Sequence, residues 1–121
     1  KYNMTMWQGS TFGVSIIVNT IDNTPQNLLG YSARMQIRPT YKSTIVTESL
    51  TSSNGEIEIT ESAGQLSLSL SAERTADIHV DLGNGKPPRT VYVYDIEIED
   101  NAGIVSKVLW GDLTVYGEVT R

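Results

Sequence analysis

Leu29-Gly30-Tyr31-Ser32-Ala33-Arg34-Met35-Gln36-Ile37-Arg38 is a turn glycine followed by eight residues that alternate apolar and polar without interruption. Successive side chains of a strand point to opposite faces, so Tyr31, Ala33, Met35 and Ile37 share one face. Ser32, Arg34, Gln36 and Arg38 share the other. A helix would mix the two sets around its circumference, whereas a sheet with one buried and one wet face separates them. The stretch therefore predicts an antiparallel strand, ended by Pro39, which cannot donate to a ladder.

The same alternation continues in both directions from this strand. Tyr2, Met4 and Met6 begin it, and Phe12, Val14, Ile16 and Val18 follow Gly9. Residues 19–27, with Asp22-Asn23-Thr24-Pro25, carry the chemistry of a loop. Residues 45–50 read as a weaker strand, broken by Ser52-Ser53-Asn54-Gly55. Ile57 and Ile59, with Glu56 and Glu58 toward water, then pair as a hairpin with Leu66, Leu68 and Leu70.

Residues 71–80 hold the helical candidate, with Ser71 as its cap and Glu73 in the first turn, where the helix dipole favours an acid. Residues 82–89, containing Gly83, Gly85, Lys86, Pro87, Pro88 and Arg89, read as an exposed loop. The next strand sets Tyr92, Tyr94, Ile96 and Ile98 against Asp95, Glu97 and Glu99. The turn Asp100-Asn101-Ala102-Gly103 leads into residues 104–110, where Trp110 shares the parity of Ile104 and Val108 and is expected in the core. Gly111 is expected to mark a bulge or bend, after which Leu113 and Val115 continue toward Arg121. Eight to nine short strands and one helical turn predict a single all-β domain over residues 1–121, an immunoglobulin-like antiparallel β-sandwich, with a closed barrel as the alternative.

Composition narrows the function classes. The 14 acidic and 9 basic residues leave a net charge of −5, and the basic ones are scattered singly, which argues against nucleic acid as a partner. The absence of cysteine removes disulfides, thiol catalysis and Cys-based metal sites. Lys1-Tyr2-Asn3-Met4 opens on strand-like sequence, so neither a signal peptide nor a membrane partner is expected. His79 is the single histidine, and one imidazole builds neither a catalytic triad nor a multi-histidine metal site.

Asp95, Glu97, Glu99 and Asp100 invite an acid–base or calcium reading, but carboxylates at alternate strand positions describe a solvated face, better paired across strands with Arg34 and Arg38. Neither catalytic residues, a cofactor nor a metal are expected. Trp7, Trp110, Tyr92 and Tyr116 offer aromatic faces for stacking on sugars. Trp7 lies out of phase with Met4 and Met6 and points to solvent or a partner. Ile17 is out of phase with its strand in the same way, and Val105 and Leu109 oppose Ile104 and Val108. Apolar residues on both faces fit an interaction module.

Several stretches carry a family likeness: Tyr2-Asn3, Gln8-Gly9-Ser10-Thr11-Phe12, residues 29–38, Gly64 to Ala72, Thr75-Ala76, Tyr94-Asp95-Ile96-Glu97, Trp110-Gly111 and Glu118-Val119-Thr120-Arg121. In this order they resemble small tailed-bacteriophage virion proteins of the family related to the N-terminal domain of phage baseplate upper proteins. The resemblance implies a non-enzymatic β-sandwich located in the virion, present in multiple copies or as a homo-oligomer, with other virion proteins as partners. It implies an adaptor at the tail baseplate or fibre attachment region, with head decoration or a neck or collar element as the alternative. A glycan-binding module is the alternative of a different class. The interface is expected at Trp7 and Ile17, at Asp22, Asn23 and Pro25 in one loop, and at Lys86, Pro87, Pro88 and Arg89 in another.

Overall fold

The computed structural model describes residues 1–83 and 85–118. They form β1 (Met4–Trp7), β2 (Phe12–Ile17), β3 (Ser32–Arg38), β4 (Glu48–Thr51), β5 (Ile57–Thr60), β6 (Gln65–Leu70), α1 (Ala72–Ala76), β7 (Arg89–Glu99) and β8 (Val105–Tyr116). A five-stranded sheet in the order β1-β8-β7-β3-β4 packs on a three-stranded sheet in the order β2-β6-β5. The fold is an all-β sandwich. The two sheets keep separate strand orders and so do not close into a barrel.

β3 sits between β7 and β4, running from Ser32 opposite Glu99 to Arg38 opposite Val93. Its Ala33, Met35 and Ile37 are buried, and they meet Tyr92, Tyr94, Ile96 and Ile98 of β7 in the core. Leu66, Leu68 and Leu70 of β6, with Ile57 of β5, supply the facing layer. The β5–β6 and β7–β8 hairpins form as the alternation predicts. At the second turn, Asp100 Oδ1 accepts from the N–H groups of Ala102 and Ile104. Ser71 caps α1 by accepting from the Arg74 N–H at 3.3 Å.

Several features depart from the expectation. β1 pairs with β8 in parallel, Met4 opposite Leu113 through Trp7 opposite Tyr116, so the large sheet is mixed. Alternation carries no information on strand direction, and no hairpin ties β1 to β8. The bulge falls between Ile96 and Glu97 of β7, where Ile96 faces Leu109 and Glu97 faces Lys107, rather than at Gly111. The extra residue, Val108, reverses the parity of β8, so Trp110 turns outward and is 41% exposed instead of joining the core. Gly111 is needed for close approach: a β-carbon there would stand 2.3 Å from the Tyr2 carbonyl oxygen.

The fourth strand begins at Glu48, and Ile45 and Val46 lie exposed in the preceding loop. Glu56 does not face water, because α1 brings Arg74 to it and to Glu48, which joins the edges of both sheets. Arg89 belongs to β7 rather than to the loop before it. Asn84 of that loop and residues 119–121, which end the family likeness, lie outside the described residues.

Candidate interaction surface

The outward face of the five-stranded sheet carries both charge and aromatic surface. Registered positions share a face, so Arg34 lies beside Glu97, bonding it at 3.0 Å and Glu99 at 3.2 Å. Both hydrogen bonds raise the Arg34 pKa above its ordinary value, with Glu99 the larger cause. Lys107 pairs with Asp95 at 3.2 Å. Arg38 bonds the Ser43 carbonyl and the Gln36 side chain, not the acidic strand as expected. The carboxylates of β7 are thus held by cations on a solvated face, around a cleft of about 350 Å³ that Tyr41 also lines. Among the described residues no cluster of three or more His, Asp or Glu is placed to hold a metal.

The other end of this face carries its exposed aromatic and aliphatic side chains. Trp7, Tyr116 and Arg89 fall in one row across β1, β8 and β7. The Trp7 and Tyr116 rings stack with centroids 4.7 Å apart at 21°. The adjacent row is Thr5, Thr114 and Val91, and Val91 is 48% exposed. Trp7 itself is 47% exposed. The turn at residues 85–88 closes on this end, where the Gly117 N–H donates to the Pro88 carbonyl at 2.8 Å. Lys86 and Pro87 are exposed in the same turn.

The expected interface therefore divides in two. Trp7, Pro88 and Arg89 come together with Tyr116. Ile17, which is 59% exposed, lies at the far end of β2. It leads into the loop of Asp22, Asn23 and Pro25, all exposed, which Thr20 and Thr24 close by a backbone bond of 2.7 Å. Asn23 takes φ 62°, a conformation asparagine tolerates.

The four-aromatic platform does not assemble. Tyr92 is buried, donating to the His79 carbonyl, and Trp110 lies six residues along β8 from Tyr116, about 20 Å away. Val91 was not among the expected site residues, although Val91 and Val93 interrupt the otherwise polar face of β7.

No helix among the described residues is long and apolar enough to cross a membrane. No family model and no curated protein matches the chain. Among solved structures it is similar to extracellular domains 3–5 of Drosophila OTK, with 11% identity and a TM-score of 0.35 over 93% of this chain and 32% of that one. At that score the overlay carries no weight for fold or function.

Proposed function

We propose that this domain is a non-catalytic structural component of a bacteriophage virion, an adaptor at the tail baseplate or fibre attachment region that works by packing against other virion proteins. The observation that carries the packing mode is the aromatic end of the large sheet, where Trp7 and Val91 stand half-exposed and Trp7 stacks on the partly buried Tyr116. Large aromatic side chains on a fixed scaffold lose little entropy on binding and are favoured interface anchors. The virion assignment rests on the sequence resemblance. Mass spectrometry of purified particles should detect the chain at stoichiometric abundance, and its absence from them would remove this reading.

A second reading uses the same residues. A half-exposed indole backed by a tyrosine is a surface on which a sugar ring can stack. A glycan array separates the two, because saturable glycan binding that disappears with Trp7→Ala favours the sugar-binding module.

A further inference from the structure

The sandwich is unfinished along one flank. β2 pairs with β6 on one side and, among the described residues, has no strand on the other. β8 loses its neighbour below the bond from Tyr2 N–H to the Trp110 carbonyl, so among the described residues Val105 to Leu109 pair with β7 alone. Between these two edges runs a groove of about 710 Å³ lined by Val14, Ile16, Val108 and Leu109. Its charged lining residues are Lys1 and Lys107.

The β2 backbone is oriented for pairing across this groove. Val18 N–H donates to the Gly64 carbonyl, and Ile17 stands opposite Gln65. In an antiparallel ladder the direction of the backbone groups alternates, so Gly13, Ser15 and Ile17 turn their N–H and C=O groups to the open side. Among the described residues none of those groups has a hydrogen-bonding partner there. Val14 and Ile16 turn their side chains inward yet remain only half-buried, because no strand covers them.

We propose that this groove receives an extended segment of another protein, which adds a strand to β2 with apolar side chains turned inward and carboxylates set against Lys1 and Lys107. Main-chain bonds supply affinity in such strand addition, and alternate side chains supply selectivity. Charge complementarity points to an acidic segment: both charged groups of the groove are cations in a chain of net charge −5. Lys107, bonded to Asp95, keeps a half-exposed side chain. A second copy fits less well, since β2 reads FGVSII and offers no carboxylate, while edge-to-edge pairing brings like lysines together. The inference shares with the packing reading only that the partner is a polypeptide, and its failure leaves the Trp7 face and the particle experiment untouched.

The test uses capped peptides of alternating valine and threonine that span the six residues of β2, ended by glutamate or by lysine. Titrated into isotopically labelled protein, the glutamate peptide should shift the amide signals of Gly13, Ser15, Ile17 and Val108. It should bind about tenfold more tightly than the lysine peptide at low salt, with the gap closing as salt is added. Ser15→Pro removes an outward N–H, and proline is tolerated on an edge strand, so this variant should lose the peptide and keep its thermal transition. Should Ser15→Pro not fold, Lys107→Gln must still shrink the preference for glutamate. Equal binding of the two peptides, shifts confined to the Trp7 face, no binding, or dimerisation through β2 in place of peptide capture would each overturn the proposal.

Discussion

Tyr94 holds the N-terminal segment to the centre of the sheet, its hydroxyl donating to the Tyr2 carbonyl from a side chain that is almost fully buried. Burial, with smaller contributions from Tyr2 and Tyr41, pushes its phenol up to about 12. An unfolded tyrosine releases its proton near 10, so between these values the native state binds more proton than the unfolded one. The contribution is therefore complete below about pH 10 and is lost as pH rises toward about 12. Tyr92, raised by burial, acts in the same sense. Urea midpoints should fall across this window. Tyr94→Phe should flatten the fall and cost about 1 kcal/mol at neutral pH through the lost hydrogen bond. A midpoint as steep in the variant as in the parent would contradict the assignment to Tyr94.

At the scale of elements, α1 matters less as a helix than as the carrier of Arg74. Its guanidinium meets Glu48 at the start of β4, the Ser49 carbonyl, and Glu56 just before β5, tying together one edge of each sheet. Arg74→Met leaves two mostly buried carboxylates facing one another. It should lower stability by about 1–2 kcal/mol, less than for a fully buried pair because the arginine is 38% exposed. Denaturant unfolding of this variant, and of one that adds Glu56→Gln, should show the second change recovering part of the loss. Elements of this kind divide what the sequence discloses from what it hides. β3, the two hairpins and the Ser71 cap were legible because alternation and turn chemistry are local. The Arg74 cluster, the parallel β1–β8 pair and the bulge at Val108 were not, since each depends on which distant strand becomes a neighbour. Trp110 shows the consequence: one inserted residue reverses the parity of everything after it. The exposure of Trp7 and Ile17 was legible from phase alone, whereas the grouping of Trp7 with Tyr116 and Pro88 required the register.

Taken whole, the molecule presents two surfaces on different parts of one sandwich. The outer face of the large sheet ends in Trp7, Tyr116 and Val91, while the groove between β2 and β8 opens on the flank. The same core backs both, and Trp7, Tyr116 and Val91 do not line the groove, so occupation of one does not require displacement of the other. Two such surfaces on a small domain fit the proposed adaptor role. Val91→Lys tests that independence. Val91 is half-exposed and its side chain points away from the core, so the change should move stability by less than about 0.5 kcal/mol. If the proposed virion role holds, a charge beside the Trp7–Tyr116 stack should nonetheless reduce incorporation into particles, because the packed face must then desolvate an unpaired ammonium. Capture of the glutamate-ended peptide at β2 should be unchanged. Quantitative mass spectrometry of particles assembled with this variant, set beside its thermal transition and its peptide titration, reads all three. Loss of both binding activities together, with the transition intact, would mean that the two surfaces act as one.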